Sequence, residues 1–222
     1  MTGQLDPADP QSAQRFILEN TRPIAPPLVP EITLRLAEES LPIWQKTEDE
    51  LGELNVPPPY WAFAWAGGQA VSRYILDHPE VCRGRAVLDL GAGSGISAIA
   101  AAKAGATRVL AADIDRLALT VCAMNAKVNA VTVETTDADL LAGEPPEDSL
   151  VIVGDLFYER ALADRVLQYI DRAKARGCSV YIGDPRRSYF PEGRFTSLAE
   201  YQVPVTRELE DFEIKRTTVW LA

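Results

Sequence analysis

The chain is 222 residues long and 47% apolar, which fits one domain with a short extension or a large single α/β domain and is too apolar for disorder. Its formal net charge of −10 opposes a phosphate backbone, so nucleic acid is not an expected partner, whereas a basic protein segment or a lysine side chain is compatible with it. A single histidine, His78, and three scattered cysteines, Cys82, Cys122 and Cys178, argue against a histidine zinc site, a catalytic triad and a disulfide framework; no apolar run is long enough to cross a bilayer.

In chain order, the polar and acidic start from Met1 to Pro10 lacks a basic segment with an apolar stretch behind it. No secretory signal or transit peptide is expected there, and a cytoplasmic location is. Residues 1–56 read as an N-terminal helical and proline-rich extension. Gln11 to Glu19 predicts a short amphipathic helix. Pro23, Pro26, Pro27 and Pro30 force extended or turning backbone. Pro30 to Ser40 is expected to restart a helix, with proline in its first turn and Glu31 near the positive end of the dipole. Pro57 to Pro59 closes the extension, and residues 57–222 form the main domain.

From Gly68 the pattern alternates. Helices are predicted over Gly68 to Asp77, Ser94 to Ala104, Asp115 to Asn129 and Glu159 to Arg176. Strands are predicted over Arg85 to Leu90, Thr107 to Ala112, Val131 to Thr136, Leu150 to Gly154 and Ser179 to Gly183. Strands alternating with helices imply a parallel sheet with helices on both faces. Leu198 to Val205 and Glu213 to Leu221 look like strands without a crossover helix between them, which implies an antiparallel ending.

A nucleotide-type ligand in such a sheet lies at the carboxyl ends of the strands, so the turn after the first strand is informative. There the chain reads Val87-Leu-Asp-Leu-Gly-Ala-Gly-Ser-Gly95. Gly91, Gly93 and Gly95 let backbone approach a ligand closely, and Ser94 is placed to cap the next helix. Asp113, at the end of the following strand, is positioned to accept hydrogen bonds from both ribose hydroxyls. A dinucleotide fingerprint needs a glycine where Ile96 stands, so a nicotinamide-dependent oxidoreductase is the weaker alternative. Asp89 followed by GxGxG resembles the first motif of class I methyltransferases, and Asp89 there is expected to orient the loop and meet a sulfonium. Asp137, after the third strand, is the candidate acceptor for the adenine amino group, with Asp139 competing for that role. Asp115 is read as a helix N-cap.

After the fourth strand comes Asp155-Leu-Phe-Tyr158. A carboxylate suits a substrate that arrives as a cation, and Tyr158 is suited to orient an amine or face a methylammonium. Asp155 and Tyr158 are therefore the catalytic candidates, with Phe157 a further wall of the site or simply core. Trp61 and Trp65, four apart, would share a face on a helix: Trp65 is expected near the cofactor and Trp61 on the substrate. Asp184-Pro-Arg-Arg187 follows the fifth strand, and Arg186 is the candidate to hold an acidic part of a protein substrate, with Arg187 beside it.

Tyr60-Trp-Ala-Phe-Ala-Trp-Ala-Gly-Gly68, the glycine turn, Ala111-Ala-Asp-Ile-Asp115, Asp155-Leu-Phe-Tyr158 and Gly183-Asp-Pro-Arg-Arg187 together resemble the electron transfer flavoprotein β-subunit lysine methyltransferases. The likeness runs from about residue 57 to the end. It implies a Rossmann-like seven-stranded class I methyltransferase sheet, mostly parallel with an antiparallel last strand. It further implies S-adenosylmethionine as cofactor and lysine N-methylation on a folded protein, the electron transfer flavoprotein β-subunit. Another protein, such as a ribosomal one, or a small amine stands as the alternative acceptor. The family includes mitochondrial members, but the start of this chain points to a cytoplasmic enzyme, expected to act as a monomer.

Overall fold

A computed structural model describes residues 5–38, 58–205 and 214–222. Seven strands form one sheet: β3 (Ala86–Leu90), β4 (Arg108–Ala112), β5 (Glu134–Thr136), β6 (Leu150–Gly154), β7 (Ser179–Asp184), β8 (Thr196–Pro204) and β9 (Ile214–Leu221). Their order is β5-β4-β3-β6-β7-β9-β8. β3 to β7 pair in parallel, whereas β9 runs antiparallel to both β7 and β8. The expected parallel sheet with an antiparallel ending is what forms. The order reverses between β3 and β6, which opens a crevice at their carboxyl ends.

Four helices pack on the sheet: α2 (Ala66–Asp77), α3 (Ile96–Lys103), α4 (Arg116–Val128) and α5 (Arg160–Ala175). Side chains alternate across each strand, and this assigns the faces. Val87, Ile152 and Val219 pack with buried residues of α2, α3 and α4. Their neighbours Leu88, Val151 and Trp220 pack with Ala163, Val166, Ile170 and Ala173, the apolar stripe of α5. The strand β6 is apolar throughout because both of its faces are covered.

The extension begins with α1 (Pro10–Asn20), where Asp9 accepts from the backbone N–H groups of Gln11 and Ser12 and Pro10 takes the first turn. Ala13 and Ile17 bury against Leu117, Ala118 and Val121 of α4. The helix expected from Pro30 to Ser40 does not form where the structure describes it, up to residue 38; residues 39 and 40 lie outside the described residues, as does Pro57. Instead β1 (Arg22–Ile24) and β2 (Leu34–Leu36) make a two-stranded antiparallel ribbon. Ile32, Leu34 and Leu36 are buried at every second position, a period of two that outweighs the proline signal. Side chains of α4 complete it: Asn125 Oδ1 accepts from Arg35 N at 2.7 Å, and Asn129 bonds both N and O of Thr33.

Candidate functional site

The loops after β3, β4, β5 and β6 enclose a cavity of about 530 Å³, within the usual range for small-molecule sites. Gly91, Gly93 and Gly95 all have positive φ. A Cβ at Gly95 would lie 2.6 Å from Cys122 Sγ, so the turn needs glycine there both for its backbone and for the close approach of α4. Gly91 and Gly93 line the cavity with exposed backbone, and around Gly93 a Cβ would meet nothing closer than Trp61 Cα at 3.8 Å. This is an open cradle of main chain that accommodates a nucleoside-type ligand.

Asp89 is buried, and its Oδ2 accepts from Ala98 N at 2.9 Å, three residues into α3. It thereby does the capping expected of Ser94, whose side chain makes no cap bond because the N-cap residue is Gly95. Burial pushes the Asp89 carboxyl up to about 7. It orients the loop but does not line the cavity. Asp113 does line it; its Oδ2 accepts from Gly93 N at 2.9 Å and its Oδ1 from Asp115 N at 3.0 Å. Burial raises its pKa too, against those bonds. Asp115 caps α4 through Leu117 N, as expected. Asp137 is not on the cavity wall; it is half exposed and pairs with Arg116 at 3.3 Å, because the chain turns after it and presents Ala138 and Asp139 instead. Asp139 is held by Arg165 at 2.5 Å.

At the other end stand Trp65, Asp155, Tyr158 and Arg187. Asp155 is buried in the left-handed region at φ 59. It does not cap α5, whose N-cap is Glu159; it caps α2 instead, accepting from Gly68 N at 2.9 Å through Oδ2. Its Oδ1 receives Arg187 Nε at 2.9 Å and Nη2 at 2.6 Å. The Arg187 guanidinium lies over the Trp65 ring, 5.3 Å from its centroid. Asp184, fully buried at the end of β7, accepts from Arg187 N at 2.7 Å, and burial, then the nearby Asp155 charge, push it up to about 7. Tyr158 is 43% exposed, with its ring 5.7 Å from that of Tyr60 on the cavity rim.

Several placements differ from expectation. Trp61 and Trp65 do not share a helix face. Trp61 lies in a 3-10 turn (Tyr60–Ala62) and Trp65 is the N-cap of α2. Trp61 borders the cavity but is 1% exposed, so most of its ring is core. Phe157 is fully buried against Phe190 and does not reach the cavity, since the turn at Asp155 points it under the sheet. Arg186, at φ 63, turns outward over Trp220; Arg187 is the one that enters the site. Tyr60 was not among the expected site residues.

A strand order with β9 inserted antiparallel beside β7, a glycine cradle after β3 and a carboxylate after β4 together define a class I S-adenosylmethionine-dependent methyltransferase. The profile of the ribosomal protein L11 methyltransferase (PrmA) family matches residues 71–175. An electron transfer flavoprotein β-subunit lysine methyltransferase of Xenopus laevis is 39% identical over 211 residues, covering 92% of this chain and 85% of that one. The Homo sapiens counterpart is 36% identical over 219 residues, covering 96% and 82%. Magnesium protoporphyrin IX methyltransferase of Synechocystis, solved with S-adenosylmethionine bound, shares the fold at a TM-score of 0.51 and 14% identity, covering 81% of this chain and 94% of that one. The chain belongs to the electron transfer flavoprotein β-subunit lysine methyltransferase family.

Proposed function

We propose that the cavity binds S-adenosylmethionine along the ends of β4 and β3 and presents its methyl group between Asp155 and Tyr158 to a lysine of the electron transfer flavoprotein β-subunit. The observation that carries this reading is the continuity of one cavity from Asp113 and Asp139 to Trp65, Asp155 and Tyr158. Asp113 holds the ribose hydroxyls, and its two backbone bonds fix its carboxylate for that task. Asp139 and the main chain of Ala138, rather than Asp137, face the adenine; Ile114 and Leu140 give it apolar walls. The backbone of Gly91 and Gly93 receives the amino-acid end, with Trp65 above it.

When bound, the cofactor supplies an electrophilic methyl group on a sulfonium. It would supply that methyl group to the lysine Nζ lone pair, the C–S bond giving way to the new N–C bond with its electron pair left on sulfur. The chain's part is to orient the amine, with Tyr158 and Asp155 at the reacting end, and to exclude water. The proton lost from lysine goes to solvent. We propose that the enzyme acts as a monomer. The acidic surface favours a protein substrate over nucleic acid, and we place the enzyme in the cytoplasm; among the described residues no helix is long and apolar enough to cross a membrane.

The purified chain, incubated with S-adenosylmethionine and recombinant electron transfer flavoprotein, is expected to add methyl groups to lysines of the β-subunit, read by mass spectrometry of tryptic peptides. Absence of modification there, with labelling of ribosomal protein L11 instead, would overturn the substrate assignment. Thermal stabilisation by NAD and not by S-adenosylmethionine would overturn the cofactor.

A further inference from the structure

We propose that Tyr60 is a substrate-binding residue: its ring and that of Tyr158 form an open aromatic V at the mouth of the cavity that grips the methylene stem of the incoming lysine. This rests on the reading above that a lysine enters at Tyr158.

Tyr60 owes its position to its neighbours. Trp61, the next residue, is 1% exposed and packs with Leu117, Ala118 and Val121 of α4, which fixes the 3-10 turn Tyr60–Ala62 to the body of the protein. At one end of the turn Tyr60 O accepts from Trp65 Nε1 at 2.8 Å, and at the other Ala62 O accepts from Ala37 N at 2.8 Å. With its main chain held and Trp61 turned into the core, Tyr60 presents its ring to the outside. It is 42% exposed and lines the cavity. A single exposed ring on a protein surface is ordinary. Here Tyr60, Trp65 and Tyr158 all border one cavity, at its acceptor end, and such clustering marks a contact site.

The Tyr60 and Tyr158 ring centroids are 5.7 Å apart with their planes at 53°, and Trp65 stands edge-on to Tyr60 at 6.0 Å and 65°. A chain sandwiched between two ring faces needs a gap of about 7–8 Å, twice a favourable carbon–carbon contact. The pair therefore admits nothing between its rings, and the stem lies in the open side of the V against both. Burial, then the nearby Tyr60 hydroxyl, raise the pKa of Tyr158, so Tyr158 meets the stem as a neutral phenol. Flat apolar faces cover methylenes well. Confining a stem that otherwise rotates freely aligns its Nζ with the methyl carbon.

The test is steady-state methylation of electron transfer flavoprotein by the full chain, with S-adenosylmethionine affinity measured separately by calorimetry. Tyr60→Ala is expected to lower kcat/KM for the protein substrate about tenfold to a hundredfold, through both a higher KM and a lower kcat. The dissociation constant of S-adenosylmethionine is expected to stay unchanged. Tyr60→Phe, which keeps the ring, should restore most of the lost kcat/KM, and Tyr60→Leu, which keeps only apolar bulk, little of it. Combining Tyr60→Ala with Tyr158→Ala should cost less than the product of the two single losses, because both rings hold one stem. Unchanged kcat/KM in Tyr60→Ala would overturn the proposal. So would weaker S-adenosylmethionine binding with an unaltered KM for the protein, which would assign the ring to the cofactor. Should Tyr60→Ala fail to fold, the contrast between Tyr60→Phe and Tyr60→Leu carries the test, and equal activity of the two overturns the idea. A wild-type enzyme that leaves electron transfer flavoprotein unmethylated sinks the function and this role together, whereas a wild type and a Tyr60→Ala variant that methylate it equally well sink the role alone.

Discussion

Asp155 Oδ2 sits 2.9 Å from Gly68 N, so a residue after the fourth parallel strand caps a helix that begins before the first one. The bond spans 87 positions of sequence and sets α2, and with it Trp65, over the cavity. Asp155→Ala removes this cap, breaks the ion pair with Arg187 and places alanine at φ 59. The expected outcome is a loss of about 3 kcal/mol in urea unfolding, loss of methyl transfer, and retained affinity for S-adenosylmethionine by calorimetry. Asp155→Asn, which keeps an acceptor for Gly68 and tolerates the left-handed backbone, is expected to be much less destabilising.

Asp113→Ala is expected to weaken S-adenosylmethionine binding by about 1–3 kcal/mol, through loss of charge-assisted bonds to the ribose and of the Gly93 tether. Asp137→Ala, on the exposed pair with Arg116, is expected to leave the dissociation constant unchanged. Isothermal titration of the two variants side by side distinguishes them; equal losses would return Asp137 to the adenine role.

Asn125 is fully buried and joins two distant parts: its Nδ2 donates to Ser94 O at 2.8 Å in the glycine turn, and its Oδ1 accepts from Arg35 N in β2. Asn125→Ala leaves both backbone groups without this partner, at a cost of about 2–4 kcal/mol in unfolding free energy. Cofactor affinity should fall as well, since Ser94 lies between Gly93 and Gly95. Destabilisation with wild-type affinity would show that the turn holds its shape alone.

Asp184 makes stability pH-dependent. Its native carboxyl is raised to about 7, whereas the unfolded one titrates near the ordinary aspartate value of 3.8. Between those values the native state binds more protons, so this group's contribution to stability falls as pH rises through that window. Asp184→Asn, which keeps an acceptor for Arg187 N, is expected to flatten the unfolding free energy between about pH 4 and about pH 7. Asp89, also raised to about 7, supplies a similar slope that this variant retains. Urea melts across that range measure it; an unchanged slope would refute the contribution.

Much of this architecture is legible in the sequence. The strands and helices after residue 68 carry strong periodic signals, and the glycine turn with Asp113 falls where the sheet reverses. What escaped is set by long-range contacts. Arg186 and Arg187 are adjacent and chemically alike; only the positive φ at Arg186 decides which one turns into the cavity. Phe157 is indistinguishable from its neighbours until the left-handed turn at Asp155 sends it into the core. The ribbon at Leu34–Leu36 depends on Asn125 and Asn129, about 90 residues away, which no local pattern announces. Its alternating burial at Ile32, Leu34 and Leu36 was nevertheless available as a signal.

The bond from Asp89 to Ala98 N also bears on which ligands the crevice rejects. In dinucleotide folds a pyrophosphate settles on the free N–H groups at the start of the corresponding helix and draws on its dipole. Here a carboxylate of the chain itself already occupies that position, and Asp155 does the same at the head of α2. An anion arriving from solution would meet, at each helix start, a carboxyl group already bonded to one of its N–H groups and further carboxyl groups close by, whereas a cationic thioether salt would not be repelled. The arrangement is therefore expected to disfavour phosphorylated nucleotides.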